Sequence, residues 1–513
     1  RYISELTAVT TERERIGAEL NIAAKIQTDM LPSIFPPFPE REELKGLSCD
    51  SRRVEPGFAF VCIRGTAVDG HEYVRQAVEN GAAVIVAEHP VELGVADGVP
   101  QVLVASGRRA WARMCANWFG NPAERLRMIG VTGTNGKTTT TYLLKSILEA
   151  NGEKVGLIGT IQNMIGERVL ASGHTTPDPY DLQSMLSLMV AEGCGYAVME
   201  VSSHALDQDR VEGCTFDAGI FTNLTQDHLD YHGTMENYLA AKKRLFSLCK
   251  TAILNQDDAW YGPMREGLEC KTVTFSAGND AADYTARNIR QRPDGVDFEL
   301  VGTGVIGRVR LAVPGRFSVY NALGAAACAL TLGLPFQPVV DALGKAAGVK
   351  GRCEVVPTGR DFTVVIDYAH TPDGLEKICG ALRECKTGRL VTVFGCGGDR
   401  DKTKRPKMGK AAAALSDFLV VTSDNPRSED PQAIIDDILA GLADSKTPYT
   451  VVANRVEAIR WAIHNAKSGD TILLAGKGHE TYQVLRDGIV HLDEREVVAE
   501  ALAQMAPAAS ADE

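Results

Sequence analysis

The sequence predicts an α/β fold built from mostly parallel sheets, and three observations support this. Short apolar runs alternate with helical segments along most of the chain, a pattern typical of parallel strands with helices on both faces of the sheet. The 513 residues are enough for about three domains. The hydrophobic content of 44% is enough to fill several cores.

Composition narrows the possible functions. The formal net charge of −12 argues against a general binder of nucleic acid or anionic membranes. No run of about eighteen apolar residues is present, so we expect no membrane span, and we expect no signal peptide. The twelve cysteines are scattered without a Cys-x-x-Cys pair, which predicts free thiols in a reducing compartment, the cytoplasm.

Residues 1–45 are predicted to form an atypical helical and proline-rich N-terminal segment. Residues 12–29 place apolar side chains at helical spacing among charges, and the following LPSIFPPFPE breaks any helix with four prolines. We interpret this segment as a surface helix and an extended linker, either solvated or packed against a partner.

Residues 46–122 are predicted to form a small α/β domain. The strand-like runs are FAFVCIRG, AAVIVAE and VPQVLVA, and one helical segment, HEYVRQAVENG, lies between the first two.

A second unit, over 123–350, opens with the stretch GVTGTNGKTTT at residues 130–140. An apolar run precedes this glycine-rich turn and a helical pattern follows it, so its backbone N–H groups and the helix dipole would face an anion. Gly133 and Gly136 permit close approach of phosphates, Lys137 can reach the terminal ones, and the Thr138 hydroxyl can join a Mg²⁺ shell. We therefore predict a nucleoside triphosphate site.

This turn is a compact variant of the phosphate loop, because Val131 stands where the strict pattern has its first glycine. The alternative is an ordinary glycine turn before a helix. Further strands are predicted at VGLIGT, YAVMEVS, AGIFTN and TAILN, with a strand-rich insert over 271–310. Glu200 and His228 follow two of these strands and are candidate metal ligands; a structural salt bridge for Glu200 and a structural role for His228 stay open.

A third unit, over 351–513, has predicted strands TVVID, LVTVFG, FLVVTS, YTVVA and TILLAG. Polar clusters follow four of them, and ligands of open α/β sheets bind beyond the carboxyl ends of strands. Arg400, Arg427 and Glu480 suit a zwitterion, because a guanidinium binds a carboxylate and a carboxylate binds an ammonium.

A series of motifs then gives a family resemblance. GTNGKTTT, MEVSSHAL, TNLTQDHLDYHG, YLAAKKRLF, PGRFSVYNALGAAA, GRCEVV, DYAHTPD, GCGGDRDKTKRP, DNPRSED and AGKGHETYQ occur in this order. From about residue 46 to the end, the chain resembles the Mur ligases, of the type that adds the third residue of the peptidoglycan peptide. The resemblance implies a UDP-binding N-terminal domain, a central P-loop ATPase domain with a mostly parallel sheet, and a Rossmann-like C-terminal domain.

The function implied by this resemblance is ATP-dependent amide ligation. The implied reaction adds meso-2,6-diaminopimelate to UDP-N-acetylmuramoyl-L-alanyl-D-glutamate through an acyl phosphate, with ATP and Mg²⁺. The expected partners are these small molecules, and we expect a monomer that binds no nucleic acid.

The resemblance also implies roles for particular residues. ATP would be bound by Gly133, Thr134, Asn135, Gly136, Lys137, Thr138, Thr139, Asn321, Arg352 and Asp367. The UDP-linked substrate would be bound by Ser51, Thr66, Ala67, Val68, His174, Thr175, Thr176, Ser202, Gln208 and Arg210. Diaminopimelate would be bound by Arg400, Asp424, Asn425, Pro426, Arg427, Gly476 and Glu480. The catalytic residues would be Lys137, Glu200, His228 and Lys242, and the metal ligands Thr138, Glu200, His228 and Lys242 as a carbamate. Lys243 alongside leaves the register of the modified lysine open.

The DNPR motif sets the implied substrate subtype. Relatives that use meso-diaminopimelate resemble it, and a guanidinium at Arg427 can hold the distal carboxylate of that amino acid in a bidentate pair. Lysine would instead present an ammonium to Arg427, which is like-charge repulsion.

Residues 1–41 do not fit the ligase resemblance. They are similar to the segment that opens bacterial regulatory serine phosphatases, although the acidic metal-binding motifs of those enzymes do not follow.

Two alternative functions of the chain stay open: a folate-polyglutamate type of ligase, and a binding protein that uses ATP as a switch and the N-terminal helix for docking.

Overall fold

The computed structural model describes residues 44–65, 68–92, 99–170, 173–292, 294–346 and 348–505. The predicted fold class is confirmed, because three α/β units follow one another along the chain and the sheet of each contains parallel strands. The predictions for residues 1–43, and for Thr66 and Ala67, lie outside the described residues. No helix in the described ranges is long and apolar enough to cross a membrane.

The first sheet has four parallel strands in sequential order. They are β1 (Gly46–Ser48), β2 (Phe58–Val61), β3 (Val84–Ala87) and β4 (Gln101–Leu103). The helix Val74–Glu79 was predicted, and a second helix, Gly107–Trp118, was missed. The prediction of a single helix is therefore wrong. Trp111, Cys115 and Trp118 are buried at spacings of four and three residues, a pattern that indicates a helix.

The central sheet has eleven strands in the order β15-β14-β13-β12-β11-β10-β5-β9-β6-β7-β8. In chain order they are β5 (Arg127–Thr132), β6 (Val155–Ile158), β7 (Asn163–Ile165), β8 (Arg168–Leu170), β9 (Tyr196–Glu200), β10 (Phe216–Phe221), β11 (Cys249–Asn255), β12 (Lys271–Ser276), β13 (Tyr284–Arg292), β14 (Gly295–Gly302) and β15 (Val305–Leu311). The strand-rich insert is confirmed by β12 to β15. Every pairing from β13 across to β6 is parallel.

The helices of this unit cover both faces of the sheet. They are Lys137–Ala150, Pro179–Ala191, Ser203–Asp207, Leu229–His232, Met235–Lys243, Tyr261–Arg265, Arg316–Thr331 and Phe336–Lys345. Helix Arg316–Thr331 is rich in small residues, and Ala322, Ala325 and Ala326 are fully buried. Such side chains let this helix pack closely on helix Lys137–Ala150 and on the sheet.

The C-terminal sheet has six strands in the order β16-β17-β21-β18-β19-β20. They are β16 (Glu354–Val356), β17 (Thr363–Asp367), β18 (Leu390–Phe394), β19 (Phe418–Val421), β20 (Tyr449–Val451) and β21 (Thr471–Ala475), and a hairpin follows with β22 (Tyr482–Leu485) and β23 (Gly488–His491). The helices are Pro372–Cys385, Lys404–Leu415, Pro431–Ala440, Arg455–His464 and Glu494–Gln504. Within the six-stranded sheet, β16 pairs antiparallel with β17 and the other pairings are parallel.

These topologies place the loops that carry the candidate residues. Strands β5, β9 and β10 are parallel neighbours, so the loops that follow them emerge at one edge of the central sheet. Strands β17, β21, β18 and β19 are parallel neighbours in the same way. The expectation that four polar clusters share one edge of the C-terminal sheet is therefore confirmed.

Candidate active site

The glycine-rich turn joins β5 to the helix Lys137–Ala150, as predicted. Gly133 and Gly136 have φ of 149° and 86°, which favours glycine. A Cβ at Gly133 would lie 1.9 Å from Thr222 Oγ1, and one at Gly136 would lie 2.3 Å from Asn321 Oδ1. Both glycines are thus required by backbone conformation and by space. Asn321, predicted to bind ATP, lies against the turn.

The loop after β10 supports this turn from the side. Asn223 O accepts from Thr134 N (2.8 Å), and Asn223 Oδ1 accepts from Asn135 N (3.0 Å). Asn223 Nδ2 donates in return to Asn135 O (3.0 Å). The turn is therefore held by a side chain that was not among the predicted ligands. Its signal in the sequence was its position directly after a strand next to β5.

Two lysines converge on one carbonyl oxygen of the turn. Lys137 Nζ and Lys242 Nζ donate to Gly133 O at 2.9 and 2.8 Å. Lys137 is partly buried, whereas Lys242 is only 1% exposed. The second contact of Lys242 Nζ is the ring of Tyr238, with 4.5 Å to the centroid. Two amine side chains therefore meet beside the glycine-rich turn, one partly buried and one almost fully buried.

The pKa values of both lysines are lowered. For Lys242, burial and the neighbouring Lys137 charge hold the pKa well below 10.5. For Lys137, burial lowers the pKa and Glu200 partly opposes this. The sequence left the register of Lys242 and Lys243 open. Lys243 is less buried and donates to carbonyl oxygens of Pro263 and Glu266, so burial separates the two.

Glu200 lies at the end of β9 and is 1% exposed. Thr160 holds its carboxylate, because Thr160 N donates to Oε1 (2.9 Å) and Thr160 Oγ1 donates to Oε2 (3.1 Å). Thr160 was missed by the sequence reasoning. It follows β6, the strand that pairs with β9, so the sheet order alone brings it to Glu200.

His228 lies in an exposed loop with φ of 52°. Its Nε2 is 3.4 Å from Asp227 Oδ2, and its ring centroid is 6.2 Å from that of Tyr238. Tyr238 is also the ring that contacts Lys242. His228 and Lys242 thus lie on the same aromatic side chain, at the edge of the sheet where β9 delivers Glu200.

Within the described ranges, no group of three or more His, Cys, Asp or Glu residues is arranged to hold a metal ion. The predicted set contains only two residues of these types, Glu200 and His228. Its remaining oxygens would come from Thr138, which is 7% exposed at the start of its helix, and from a modified Lys242. The oxygen donors are of the kind that Mg²⁺ prefers.

The residues predicted to bind the UDP-linked substrate form two groups. In the central domain, Thr176 Oγ1 donates to Glu200 O (2.8 Å), Ser202 N donates to Thr176 Oγ1 (3.0 Å), and Arg210 Nη1 donates to Thr176 O (2.9 Å). Gln208 Oε1 accepts from Arg210 Nη2 (2.8 Å). This group therefore lies directly beside Glu200.

Thr175 extends the same group, because its hydroxyl is 2.9 Å from Thr160 Oγ1, and His174 precedes it. Ser51 lies in the first domain, where its hydroxyl donates to Gln76 Oε1 (2.7 Å). Val68 is also in the first domain and is 54% exposed. The predicted substrate contacts thus span two domains.

The start of the C-terminal domain supplies Arg352 and Asp367. The Arg352 guanidinium lies 4.8 Å from the centre of the Tyr368 ring and lowers the pKa of Lys137. Burial raises the pKa of Asp367, whose carboxylate accepts from Cys353 N (2.7 Å) and Ala369 N (2.8 Å). The positive charge of Arg352 therefore acts on Lys137 of the glycine-rich turn.

Asn425 and Glu480 meet at the edge of the C-terminal sheet. Asn425 Nδ2 donates to Glu480 Oε2 (3.0 Å). Lys477, fully buried and absent from the predicted ligands, donates to Glu480 Oε2 (2.9 Å) and to Asn425 Oδ1 (3.0 Å). Gly476 has φ of 117°, and a Cβ there would lie 2.5 Å from Asp424 Oδ2. The four predicted residues are thus in one cluster around a buried ammonium.

Arg427 and Arg400 both lie next to Gly397. A Cβ at Gly397 would be 3.0 Å from Arg427 Nη1 and 3.9 Å from Arg400 Cγ. Arg427 Nη1 donates to Gly398 O (2.7 Å), and a Cβ at Gly398 would lie 1.9 Å from Pro426 O. The Arg427 guanidinium, the aliphatic part of Arg400 and Pro426 therefore lie around a glycine pair, and Arg400 is exposed.

The two sheet edges are in contact with each other. Lys377, on helix Pro372–Cys385 that follows β17, donates from Nζ to Thr225 Oγ1 (3.2 Å). Thr225 N in turn donates to Thr134 Oγ1 of the phosphate turn (3.0 Å). The C-terminal domain thus reaches the loop that supports the turn.

The fold and the site define an α/β protein of three domains, in which a glycine-rich turn suited to phosphate lies beside acidic and basic side chains. The family description "Mur ligase family, catalytic domain" matches residues 43–118, "Mur ligase middle domain" matches 131–329, and "Mur ligase, glutamate ligase domain" matches 351–478. The chain belongs to the Mur ligase family, which confirms the resemblance predicted from its motifs.

Three known proteins illustrate the similarity. A UDP-N-acetylmuramoyl-L-alanyl-D-glutamate--2,6-diaminopimelate ligase from Caldanaerobacter subterraneus subsp. tengcongensis is 49% identical over 463 residues, which are 90% of this chain and 95% of the relative. A solved structure of a ligase with the same name is 33% identical, with a TM-score of 0.69, and the match covers 92% of this chain and 97% of that one.

The third is a MurF ligase from Thermotoga maritima in complex with ADP, with a TM-score of 0.57. It is 19% identical, and the match covers 90% of this chain and 97% of that one. At this identity the similarity concerns the fold alone.

Proposed function

We propose that this chain ligates meso-2,6-diaminopimelate to UDP-N-acetylmuramoyl-L-alanyl-D-glutamate with hydrolysis of ATP to ADP and phosphate. The relative that shares 49% of its residues carries the name of this activity. The geometric observation that carries the proposal is the pair of lysines, Lys137 and Lys242, on the single carbonyl oxygen of Gly133. Lys137 belongs to the glycine-rich turn and Lys242 reaches it from helix Met235–Lys243, and the C-terminal domain contacts the loop that supports this turn.

In the first step, the γ-carboxylate of the D-glutamate residue attacks the γ-phosphorus of ATP. A phosphorus–oxygen bond forms to the carboxylate, the bond to the β-phosphate oxygen breaks, and ADP leaves. Lys137 and the backbone N–H groups of the turn offset the negative charge on the transferring group. Because phosphoryl transfer relies mainly on positioning, the contacts of Thr176, Ser202 and Arg210 beside Glu200 are suited to holding the carboxylate in line.

The residues present fit a magnesium ion together with a carbamate on Lys242. An ammonium with a pKa lowered by burial is more readily deprotonated, and the neutral amine attacks CO₂ to form an N–C bond with release of a proton. The product carries anionic oxygens in place of a cation. Thr138, Glu200, His228 and this carbamate would hold Mg²⁺, which supplies electrostatic stabilisation of phosphate oxygens.

In the second step, the amine of diaminopimelate attacks the acyl carbon of the acyl phosphate. The tetrahedral intermediate expels phosphate, and the nitrogen loses its extra proton. Glu480 and Asp424 would bind an ammonium of the amino acid, and Arg427 and Arg400 would bind carboxylates. Among the residues that the structure describes, the Arg427 side chain donates to the carbonyl oxygens of Gly398 and Asn425, and a carboxylate would be a stronger acceptor for it.

The proposal includes the domain boundaries at residues 45, 122 and 350, the remaining ATP contacts at Thr139, Asn321 and Asp367, and a monomeric state. It also places the reaction in the cytoplasm, because the reaction consumes ATP.

The test combines phosphate release with mass spectrometry of the product. The purified chain is incubated with ATP, Mg²⁺, the nucleotide dipeptide and either meso-diaminopimelate or L-lysine. We expect phosphate release and a product mass increased by one diaminopimelate residue. Efficient use of lysine without diaminopimelate would reject the subtype, and transfer of glutamate to a folate would favour the folate-polyglutamate type. ATP turnover with no ligated product would favour the nucleotide-switch alternative.

A further inference from the structure

Asp209 lies between two residues that are proposed to contact the nucleotide dipeptide, Gln208 and Arg210, but its own side chain has different partners. Gln208 and Arg210 bond each other, and Arg210 also reaches Thr176 beside Glu200. The Asp209 carboxylate instead accepts from Arg244 Nη2. The side chains of Gln208 and Arg210 therefore lie on the side of the proposed substrate contacts, whereas the Asp209 side chain between them contacts other parts of the molecule.

Those second contacts come from two other parts of the molecule. Arg244 follows helix Met235–Lys243, which carries Lys242, by one residue, and its Nη1 also donates to Asp207 O (3.2 Å). Arg109 lies on helix Gly107–Trp118 of the first domain, and its Nε is 3.5 Å from Asp209 Oδ1. One carboxylate thus connects the substrate loop, the end of the helix that carries Lys242, and the N-terminal domain.

The backbone at this position is also specialised. Asp209 has φ of 55°, in the left-handed region where aspartate and asparagine are enriched among non-glycine residues. Its side chain is only 11% exposed, whereas those of Arg109 and Arg244 are 56% and 35% exposed. An isolated surface ion pair contributes little, but a shielded carboxylate shared by two guanidinium groups is held more firmly.

A second ion pair joins the same two domains nearby. Arg113 Nη2 on helix Gly107–Trp118 donates to Glu212 Oε1 (2.9 Å), three residues beyond Asp209. Within the described part of the chain, neither Arg113 nor Glu212 forms a hydrogen bond with Arg244, Gln208 or Arg210. A variant of this pair is therefore a matched control, because it weakens the contact between the domains and leaves the bonds of the 207–210 loop in place.

We propose that Asp209 is a positioning residue, which fixes the 207–210 loop against the end of the Lys242 helix and the first domain so that Gln208 and Arg210 meet the nucleotide dipeptide. This inference rests on the proposed function, because it assigns the loop to that substrate. Asp209 does not contact the reacting atoms. Loss of Asp209 should weaken binding of the nucleotide dipeptide. It should leave unchanged the binding of the amino acid at the C-terminal sheet.

The test uses Asp209→Asn and Asp209→Gly, both of which tolerate a positive φ. Asparagine keeps the shape and removes the charge, and glycine removes every side-chain contact. Relative to the unmodified chain, we expect the KM for the nucleotide dipeptide to rise roughly tenfold in the glycine variant and roughly threefold in the asparagine variant. The KM for diaminopimelate should stay within about twofold. Glu212→Gln should change neither KM by more than about twofold.

Calorimetric binding of the nucleotide dipeptide alone separates this inference from the proposed function. If the unmodified chain binds the dipeptide without ligating it, the proposed function fails, and weaker binding by Asp209→Gly would still support the positioning role. The inference is overturned by unchanged dipeptide affinity in Asp209→Gly, by equal increases in KM for all substrates, by an equal effect in Glu212→Gln, or by absence of dipeptide binding in the unmodified chain. Thermal melting of each variant confirms that the compared proteins are folded.

Discussion

Lys242 beside the phosphate turn and Lys477 at the end of β21 are buried to the same extent, with 1% and 0% exposure, but their surroundings differ. Lys477 donates to the Glu480 carboxylate and to the amide oxygen of Asn425. Lys242 donates to a backbone carbonyl and contacts the ring of Tyr238. Among the described residues, no carboxylate forms a salt bridge with Lys242.

This difference separates two uses of a buried cation. A buried ammonium that meets a carboxylate compensates its own desolvation and belongs to the internal architecture. A buried ammonium without such a partner is costly, and its pKa falls so that the neutral amine becomes accessible. Lys242 fits the second description. Its neutral amine can therefore react at the central sheet, whereas Lys477 at the C-terminal sheet stays paired with a carboxylate.

The largest expected effect comes from removing the lysine that lacks a carboxylate partner. Lys242→Ala should lower the rate of ligation by roughly 1,000-fold, because the proposed anionic oxygens for the metal are lost. Small carboxylates such as acetate should restore part of the activity by occupying the vacated space. Phosphate release with and without acetate measures both effects.

The adjacent residue provides the matched control. Lys243 forms its contacts with carbonyl oxygens of Pro263 and Glu266 at the surface. Lys243→Ala should therefore retain activity within about threefold of the unmodified chain. Full activity in Lys242→Ala, or a larger loss in Lys243→Ala, would remove the carbamate from the mechanism.

A smaller effect is expected on the amino-acid side. Arg427→Ala should raise the KM for meso-diaminopimelate roughly 10- to 100-fold, because one charge-assisted interaction with the distal carboxylate is lost. The KM for ATP should not change. Arg486→Ala is a control, since Arg486 lies in the neighbouring hairpin and donates to Ser428 O (2.8 Å) at the surface. Unchanged diaminopimelate kinetics in Arg427→Ala would contradict the assignment.

The smallest effect expected is a pH dependence of activity at constant dissolved CO₂. The pKa of Lys242 lies below 10.5 in the folded chain, and protonation at lower pH removes the neutral amine that binds CO₂. Activity should therefore decline as the pH is lowered through the folded-state pKa. Lys242→Ala rescued by acetate should lack this decline above about pH 6, because acetate stays ionised there. An identical profile in both proteins would show that another group titrates.

The sequence predicts the phosphate turn well because its determinants are local. Gly133, Gly136 and Lys137 act within one turn, and their spacing is enough to indicate the site. The order of strands and helices is also local in origin, and most strands were identified from apolar runs. Helix Gly107–Trp118 was missed although the spacing of its buried residues indicated it.

The residues that support the site were not predictable in the same way. Thr160 reaches Glu200 only because β6 pairs with β9. Lys477 meets Asn425, 52 residues away in the chain, only because the C-terminal sheet brings their loops to one edge. Which of Lys242 and Lys243 is buried depends on how helix Met235–Lys243 packs. Contacts between distant parts of the chain require the fold.

The most direct test of the difference between the two lysines is the stability of Lys242→Met and Lys477→Met at pH 7 in buffer free of metal and bicarbonate. The folded-state pKa of Lys242 lies below its unfolded value of 10.5. Between these two pKa values the unfolded state binds more protons than the folded state, so the free energy of unfolding falls as the pH is lowered from 10.5 towards the folded-state pKa. Lys242→Met removes that cost and should raise the free energy of unfolding by about 1 kcal/mol or more. Lys477→Met leaves Glu480 without its cation and should lower it by about 3 kcal/mol. Denaturant unfolding that shows the same sign for both variants would contradict this account.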